Sequence, residues 1–357
     1  MKKTVAVAMS GGVDSSLTAA LLLEQGYEVF GMTMRLWDTE TAAVPDDAGV
    51  QVAVRDAKRI AEILGIPHYT MDFRDFFAEE IMLYFVEEYQ QGNTPNPCVK
   101  CNKLVKFGRL FAEATALGAD YVATGHYAGV VYNEERKLYE LHRGQDKNKD
   151  QSYVLYNLNQ QTLPHFMFPL GHMVKENTRM MAKERNLPVF NKPESQDICF
   201  IPDNNYKRFL RSRVPGIFVP GHIVTQTGEV LGQHKGLSGY TIGQRRGLGI
   251  AAREPLYVVS MDVKRNQVVV SPNEQDLYSK EVWVKQSAWV ESVPTEPVIA
   301  KGKIRYAAKE SACCIYPFAD GKSKVVFEEP QRAITPGQSL VWYQDDRVIG
   351  GGVIIKQ

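Results

Sequence analysis

The spacing of apolar residues changes along this chain. In the first half, short continuous apolar runs alternate with stretches in which apolar residues recur every three or four positions. Continuous runs bounded by turn residues are typical of buried strands, and the longer period is typical of helices. The pattern predicts strands over 4–9, 27–34, 68–73 and 121–125, and helices over 15–25, 52–64, up to 89, and 101–117. Strands that alternate with helices predict a parallel α/β sheet.

After residue 202 the apolar runs become short and are split by glycine and proline, as in PGHIV, YVVSMD, NQVVVSP, KVVFEEP and RVIGGGVII. Such runs predict strands joined by tight turns. We therefore predict an α/β catalytic domain over 1–202, a small α+β or β-rich central domain over 203–275, and a C-terminal domain like a β-barrel over 276–357. Residues 127–150 are predicted to form an exposed hairpin and loop.

Composition is that of an ordinary globular protein: 357 residues, 44% hydrophobic and 23% charged. The net charge of +1 neither indicates nor excludes a polyanionic partner. The start MKKTVAVAM has only a short apolar run before Ser-Gly-Gly, so we expect no signal peptide, no membrane span and a cytoplasmic location. Five cysteines in a reducing compartment do not indicate a disulfide framework.

The motif SGGVDSS, residues 10–16, lies between a predicted strand and a predicted helix. Its two glycines let the backbone approach a phosphate, its three serines offer hydroxyl donors, and the free amides of a helix start attract an anion. The motif lacks the lysine of a Walker A loop and the spacing of a dinucleotide fingerprint. We predict a pyrophosphate site, with a capped glycine turn as the alternative. Asp14 is assigned to Mg²⁺, because a carboxylate beside phosphates needs a cation.

Three cysteines are candidates for chemistry. Cys98 and Cys101 lie just before a predicted helix, and Cys199 lies in the extended stretch PESQDICFIP. The helix dipole favours a thiolate at a helix start, which makes Cys101 a candidate nucleophile. Buried small apolar roles and a structural zinc site are the alternatives, although no second ligand pair stands out. Cys313 and Cys314, in the apolar run ACCIYPF, are predicted to be buried and inert.

Basic residues form three clusters that fit either a solvated surface or phosphate contacts. Those near the first cysteine pair recur every third position, which winds around a helix as a spiral band. The clusters are Lys100, Lys103, Lys106 and Arg109; Lys207, Arg208, Arg211 and Arg213; and Arg245 and Arg246.

The phosphate motif resembles the PP-loop of the ATP pyrophosphatases. These enzymes cleave ATP between its α and β phosphates and adenylate a substrate oxygen. ATGHY, residues 123–127, resembles a second element of the group and would place Gly125 near the nucleotide. Met34 would lie against adenine, with a role as a core methionine as the alternative.

A longer series of motifs resembles the tRNA 2-thiouridylases. In chain order it comprises SGGVDSS, TPNPCVKCNK, ATGHY, KDQSYVL, ESQDICFI, GLSGYTIGQRRGLGI, KIRY, TPGQSLVWY and RVIGGGVI. The resemblance implies a tRNA-uridine 2-sulfurtransferase that uses ATP and Mg²⁺ to adenylate the C2 oxygen of a wobble uridine and then transfers sulfur from a cysteine persulfide. The implied partners are tRNA and a cysteine desulfurase or sulfur-relay donor.

The same resemblance assigns residues to roles. Cys101 matches the catalytic nucleophile, and Cys199 matches the cysteine that carries the persulfide. Residues expected to bind ATP are Ala8, Met9, Ser10, Gly11, Gly12, Val13, Asp14, Ser15, Met34 and Gly125. Those expected to face the target base are Asn96, Pro97 and Cys98. Those expected to contact tRNA elsewhere are His126, Lys149, Asp150, Gln151, Arg305, Tyr306 and Gln338.

The chain departs from the family pattern at two places. Cys98 stands where some relatives have an aspartate, which leaves a general acid-base role, a metal-ligand role and a spectator role open. Paired cysteines after the second strand are replaced by TETAAVPDDAGV. An iron-sulfur cluster on Cys98, Cys101 and Cys199 is the alternative to a sulfur relay. The competing functions are a PP-loop enzyme acting on a small metabolite and a non-catalytic RNA-binding module.

Overall fold

The computed structural model describes residues 2–38, 48–193 and 198–356, so residues 39–47 of TETAAVPDDAGV and residues 194–197 of ESQDICFI lie outside the described part. The N-terminal region is built on a five-stranded sheet of order β3-β2-β1-β4-β7 in which all neighbouring strands are parallel. Its strands are β1 Thr4–Ala8, β2 Glu28–Arg35, β3 His68–Asp72, β4 Tyr121–Ala123 and β7 Phe166–Met167. The predicted parallel α/β sheet is confirmed.

Helices cover both faces of this sheet. They are α1 Val13–Glu24; α2 Ala48–Leu64; α3, made of Arg74–Phe77, the π-helical Ala78–Leu83 and Tyr84–Gln90; α4, made of Pro97–Cys101, the π-helical Asn102–Arg109 and Leu110–Ala116; α5 Lys175–Glu184; and α6 Tyr206–Arg213. Side chains alternate along β1. Val5 and Val7 pack with the core around α1 and α2, whereas Ala6 packs with the core around α3 and α4.

Helix α4 begins four residues earlier than the sequence pattern predicts. Pro97 is its first residue, and the Oδ1 of Asn96 accepts a hydrogen bond from the Val99 amide at 3.4 Å. Proline suits the first helical position because it has no amide hydrogen to leave unpaired, and asparagine is a favoured cap. Cys98 therefore lies in the first turn of α4, and Cys101 lies in the second.

The central region has its own four-stranded sheet of order β10-β11-β8-β9. Its strands are β8 Gly221–Thr225, β9 Val230–His234, β10 Tyr257–Asp262 and β11 Gln267–Ser271, and only the β8–β11 pair is parallel. Ile223, Val258 and Val268 are fully buried in a separate small core. This region is β-rich, as the short apolar runs predict.

The C-terminal strands close into a barrel. They are β12 Tyr278–Trp289, β13 Val298–Lys303, β14 Ser311–Pro317, β15 Ser323–Arg332, β16 Ser339–Gln344 and β17 Arg347–Ile354. The antiparallel order β12-β15-β14-β13-β16-β17 returns to its start because β12 also pairs with β17. Closure removes the open sheet edge. Trp342 and Phe327 fill the interior, and the predicted barrel is confirmed.

A hairpin from the first half of the chain extends this barrel sheet. It consists of β5 Ala128–Asn133 and β6 Leu138–Arg143, and β6 pairs with β17 through His142 opposite Arg347. The prediction of a hairpin is correct, but full exposure is wrong for β6, because Leu141 is completely buried. The N-terminal region and the barrel are thus joined by strand pairing. None of the described helices combines the length and apolar character needed to span a bilayer.

Candidate active site

The phosphate motif forms a tight loop between β1 and α1. Gly11 has φ +68°, and a Cβ there would lie 2.5 Å from the carbonyl oxygen of Ala53, so a side chain is excluded by both conformation and space. Gly12 caps α1 without a side-chain acceptor, which leaves the first helical amides open to an anion. The residues present therefore fit the pyrophosphate part of ATP.

Two of the loop serines shape the loop itself. The Ser15 hydroxyl accepts a hydrogen bond from the Ser10 amide at 3.1 Å and donates to the Gly12 carbonyl at 3.2 Å. The Ser16 hydroxyl donates to the same carbonyl at 2.8 Å. These bonds hold the loop open before any phosphate arrives, which is the preorganisation that electrostatic catalysis requires.

Asp14 has protein partners that the sequence interpretation does not include. Both of its carboxylate oxygens lie 2.7 Å from the Nζ of Lys175, and the Tyr127 hydroxyl donates to Oδ1 at 2.8 Å. Lys175 is largely buried at the start of α5, far along the sequence. As placed, the carboxylate is balanced by a protein cation. Coordination of Mg²⁺ by Asp14 would have to share this carboxylate with Lys175 and Tyr127.

The second PP-loop element packs directly on the first. A Cβ at Gly125 would lie 2.8 Å from the Asp14 carbonyl carbon and 2.9 Å from the Ser15 amide nitrogen, so only glycine permits this approach. Met34, near the end of β2, is partly buried. Its neighbour Thr33 donates a hydrogen bond to the Met9 carbonyl at 2.8 Å. The assignment of Gly125 and Met34 to the nucleotide stays a prediction.

A second lysine reaches the phosphate loop from the segment that leads to Cys199. The Nζ of Lys192 donates to the Gly11 carbonyl at 3.0 Å and contacts the Asp56 carboxylate at 2.7 Å. Beside it lies a concavity of about 390 Å³, lined by Asp56, Arg59, Pro188, Val189, Asn191 and Lys192. The sequence interpretation misses Lys175 and Lys192, because no local pattern indicates a contact across more than 150 residues.

The three candidate cysteines interact with one another and with Lys106; we call these four residues the thiol cluster. Burial raises the pKa of the Cys101 thiol to about 11, against the opposing effect of Lys106. Burial also raises the pKa of Cys98 and of Cys199. Both of these side chains are nevertheless accessible to solvent, which is the environment of a cleft. The expected thiolate at Cys101 is therefore wrong for this state.

Burial of Cys101 is the main cause, and its position in the helix removes the offsetting effect that the dipole would supply. The dipole acts within the first turn, and Cys101 lies in the second turn of α4 because the helix begins at Pro97. The π-helical run that follows has bonds from i to i+5, so Lys106 lies about one turn beyond Cys101. The Oδ1 of Asn102 is buried and has no hydrogen-bond partner within the described residues. Such an atom at a candidate site needs a partner that the resting protein does not supply.

The chain is similar to known proteins along nearly its whole length. Family models described as a tRNA methyl transferase HUP domain, a tRNA methyl transferase PRC-barrel domain and an aminomethyltransferase beta-barrel domain match residues 3–203, 207–272 and 279–354. The tRNA-specific 2-thiouridylase MnmA of Acetivibrio thermocellus is 48% identical over 357 residues, covering 99% of each chain. The chain belongs to the tRNA-specific 2-thiouridylase family.

Other members are equally similar. MnmA 2 of Thermoanaerobacter pseudethanolicus is 50% identical over 99% of this chain and 98% of its own, and MnmA of Desulforamulus reducens is 47% identical over 100% and 98%. Among solved structures, a 4-thiouridine synthetase–RNA complex with bound ATP covers 60% of this chain and 51% of its own at 16% identity. Its TM-score of 0.35 is too low to support an inference.

The residues that the thiouridylase resemblance assigns to tRNA lie in several environments. His126 is buried, shares a 2.6 Å hydrogen bond with Thr124 and packs against Phe107. Burial, together with Lys106, holds the pKa of His126 well below its usual value, so its ring is neutral at pH 7. It therefore lies behind the thiol cluster and presents no charge to a phosphate.

Another subset joins two domains of this thiouridylase. The buried Asp150 carboxylate accepts hydrogen bonds from the amides of Gly144 and Ser152, each at 3.0 Å. The Tyr306 hydroxyl, from the barrel, donates to the Asp150 carbonyl at 2.9 Å, and its ring remains 44% exposed. Gln151 accepts a hydrogen bond from the Tyr127 amide. The residues of this subset that an RNA could reach are the exposed Tyr306 and the partly exposed Arg305 and Lys149. The tRNA roles of all these residues stay predictions.

Gln338 does not point freely to solvent in this thiouridylase. Its Nε2 donates to the carbonyl oxygen of Thr94 at 2.8 Å, four residues before Cys98. The remaining members of the site, Asn96, Pro97 and Cys98, follow immediately in the chain at the start of α4. The structure thus brings Gln338 to the cysteine segment.

The basic clusters are partly engaged in the thiouridylase itself. Lys100 lies 3.4 Å from Glu80, Arg109 lies 3.4 Å from Glu113, and Arg208 lies 2.6 Å from Asp203. Arg245 and Arg246 are exposed. Exposed pairs of this kind contribute little to stability and exchange readily for phosphate contacts.

The grouping of side chains in the structure also bears on metal binding. Within residues 2–38, 48–193 and 198–356, no three His, Cys, Asp or Glu side chains are grouped so as to hold a metal ion. The described thiols therefore do not form a ready iron-sulfur ligand set.

The two remaining cysteines lie in the barrel. Cys313 is buried in the barrel core as predicted, but Cys314 is only partly buried, because its position on β14 faces away from that core.

Proposed function

We propose that this chain is an ATP-dependent tRNA-uridine 2-sulfurtransferase that converts the wobble uridine of tRNA to 2-thiouridine. The observation that carries the proposal is the full-length similarity, 48% over 99% of both chains, to a protein named tRNA-specific 2-thiouridylase. A phosphate loop and a thiol cluster in the same chain support it, because thiolation needs both an activated oxygen and a sulfur carrier. A tRNA substrate also supports a cytoplasmic location.

Activation comes first, because the C2 oxygen of uridine is a poor leaving group. Attack of this oxygen on the α-phosphorus of ATP forms an oxygen–phosphorus bond and releases pyrophosphate. The amides at the start of α1 hold the departing negative charge, and Lys192 and Lys175 lie at the same loop. Bound Mg²⁺ supplies further charge neutralisation. The wobble base must leave its stack to reach the site.

Sulfur transfer follows, with Cys199 as the carrier. The terminal sulfur of a Cys199 persulfide attacks C2, and AMP leaves with the former C2 oxygen. The Cys101 thiolate then attacks the Sγ of Cys199, which breaks the sulfur–sulfur bond, leaves sulfur on C2 and forms a Cys101–Cys199 disulfide. An external thiol must reduce this disulfide before the next cycle. Exposure of Cys199 supports loading by a donor protein such as a cysteine desulfurase or relay protein.

Deprotonation of Cys101 is the demanding part of this sequence. With its pKa raised to about 11 by burial, Cys101 is almost entirely protonated at pH 7. Lys106 is the cation that acts on all three thiols and on His126. It favours the sulfur anion wherever it forms within the thiol cluster.

A substitution of Cys98 distinguishes the iron-sulfur hypothesis from the sulfur relay. A relay needs only Cys101 and Cys199, so Cys98→Ser should retain substantial thiolation, whereas a cluster with three thiolate ligands would lose one. The protein should be purified without oxygen, and its iron content and visible absorption measured. Stoichiometric iron in active enzyme, together with an iron-free and inactive Cys98→Ser, would establish the cluster instead.

The overall function is tested by incubating the protein with tRNA, ATP, Mg²⁺ and a persulfide source. Mass spectrometry of the digested nucleosides identifies 2-thiouridine. It also distinguishes sulfur substitution from an added methyl group, which the descriptions of two matching family models name. Methylated uridine without 2-thiouridine would overturn the proposal.

A further inference from the structure

The segment before Cys98 is held by the barrel. We call residues 93–98 the cysteine loop and residues 336–338 the barrel clamp. The Thr94 amide donates to the Pro336 carbonyl at 2.8 Å, and the Gln338 side-chain amide donates to the Thr94 carbonyl, also at 2.8 Å. Both main-chain hydrogen-bonding groups of Thr94 are thus satisfied by another domain.

The middle residue of the clamp must be glycine. Gly337 has φ +91°, and a Cβ there would lie 3.0 Å from the amide nitrogen, carbonyl carbon and carbonyl oxygen of Thr94. The clamp is fixed to β17, because the Gly337 amide donates to the Ile354 carbonyl at 2.9 Å and the Ile354 amide donates to the Gln338 carbonyl at 2.8 Å. Hydrogen bonds therefore connect the end of β17 to Thr94 through the barrel clamp.

The central domain meets the same point. The hydroxyls of Thr94 and Thr241 lie 3.3 Å apart, and Ser238 donates a hydrogen bond to the Tyr89 carbonyl at the end of α3. All three domains converge at the start of the cysteine loop. From Thr94 only Pro95 separates the junction from Asn96, whose side chain caps the helix that carries Cys98 and Cys101.

We propose that Gln338 is a positioning residue whose hydrogen bond to Thr94, supported by Gly337, sets the placement of Cys98 and Cys101 against the bound base. This inference rests on the proposed thiolation and extends it, because it makes the barrel a determinant of catalytic geometry as well as of tRNA affinity. It differs from the role that the family resemblance implies for Gln338, which is contact with tRNA. A misplacement of about 1 Å at a reacting group costs about 100-fold in rate.

The test compares Gln338→Ala with Gln344→Ala. Gln344 makes the same kind of bond, from Nε2 to the Ile299 carbonyl at 3.1 Å, but within the barrel and away from the cysteine loop. For each full-length variant we would measure Tm, the tRNA Kd, kcat for 2-thiouridine, and the alkylation rates of Cys98 and Cys101 by peptide mass spectrometry. Gln338→Lys, which keeps a donor at this position, serves as the rescue variant.

We expect Gln338→Ala to lower kcat by about 10- to 100-fold. Because Cys101 is buried, release of the loop should also speed its alkylation, while the tRNA Kd stays at the parental value. Gln338→Lys should restore part of the lost kcat and part of the protection of Cys101 from alkylation. Gln344→Ala should have the parental kcat and the parental alkylation rate. A raised tRNA Kd with parental kcat and parental Cys101 alkylation would overturn the inference in favour of direct RNA contact. Alkylation is measured without substrate, so it tests the clamp even if thiolation itself is not found.

Discussion

The phosphate loop and the thiol cluster must both accommodate negative charge in the proposed reaction, but they are built differently. The loop uses the amides at the start of α1, and its shape is fixed by hydrogen bonds from Ser10, Ser15 and Ser16. Because these groups are preorganised, a phosphate meets them without rearrangement. The thiol cluster instead places Cys101 in the apolar core, and desolvation raises the pKa of all three thiols although Cys98 and Cys199 remain accessible to solvent.

This difference indicates an order of events. In the proposed mechanism, activation can begin whenever ATP and the base are bound, whereas the release of sulfur from Cys199 needs a Cys101 thiolate. A buried, protonated thiol is also poorly reactive toward stray oxidants, because the thiolate is the reactive form. The comparison predicts that variants of the loop and of the cluster fail at different steps.

Loss of the sulfur carrier should have the largest effect on the formation of 2-thiouridine. It should have no effect on the adenylation step. We expect Cys199→Ser to make no 2-thiouridine while still releasing pyrophosphate in a tRNA-dependent reaction. Both products are measured in the same sample. Cys314→Ser, at a partly buried barrel position, is the control. If Cys199→Ser formed 2-thiouridine at the parental rate, the assignment of Cys199 as carrier would be refuted.

Variants of the phosphate loop should be defective one step earlier, in the adenylation of tRNA. We expect Asp14→Ala or Ser15→Ala to reduce tRNA-dependent pyrophosphate release by at least about 100-fold, because the charge and shape of the loop are lost. Lys175→Met should behave like Asp14→Ala if their ion pair is what matters. Circular dichroism checks that folding survives. Parental pyrophosphate release from Asp14→Ala would contradict the role given to this loop.

The thiol cluster should respond to pH in a way that the loop does not. Since the pKa of Cys101 is raised to about 11, its thiolate fraction and alkylation rate should rise about tenfold per pH unit from pH 7 upward and level off near pH 11. Lys106→Met should slow alkylation about three- to tenfold at pH 8, because the cation that lowers this pKa is lost.

The matched control for Lys106 is Lys103→Met, which removes an exposed lysine from the same π-helical run. It should leave the pH profile of Cys101 unchanged. Equal effects of the two substitutions would mean that general surface charge, rather than the placement of Lys106, governs the thiols.

The smallest effect on activity is expected from a residue that binds tRNA, because the phosphate loop and the thiol cluster both act on the same bound tRNA. Arg305→Ala should weaken tRNA binding modestly and lower the salt dependence of binding by about one phosphate contact. Adenylation and thiolation should fall together, because both need the same bound tRNA. Point substitution is preferable to removal of the barrel after Pro272, since β6 pairs with β17 and truncation would expose that strand. An unchanged tRNA Kd would exclude Arg305 from the interface.

Local sequence patterns predict the elements and the phosphate loop well. The strand before SGGVDSS and the helix after it are determined by neighbouring residues, so β1, α1 and the loop between them lie where the periodicity indicates. Helix α4 begins at Pro97 rather than at the predicted residue 101, because proline suits the first helical position and Asn96 caps the helix. That shift moves Cys101 out of the first turn, where the helix dipole acts, and burial raises the pKa of its thiol.

Contacts between distant segments are not predictable from local pattern. Lys175 to Asp14, Lys192 to Gly11 and Gln338 to Thr94 each join residues more than 150 positions apart. The first two depend on how distant segments of the N-terminal domain pack, and the third depends on how the barrel packs on that domain. A polar side chain at such a position has no periodicity that distinguishes it from a surface residue. The family resemblance names Gln338 as a functional position, and the fold adds the bond through which it would act.

The most direct test of the account follows both half-reactions in one experiment. Full-length protein carrying a persulfide is mixed with tRNA, ATP and Mg²⁺ in a single turnover, and pyrophosphate, AMP, 2-thiouridine and the Cys101–Cys199 disulfide are measured over time. The account predicts that pyrophosphate appears first and AMP second, and that 2-thiouridine and the disulfide then appear together in equal amounts. Formation of 2-thiouridine without pyrophosphate release, or with Cys101 and Cys199 still unlinked, would contradict it.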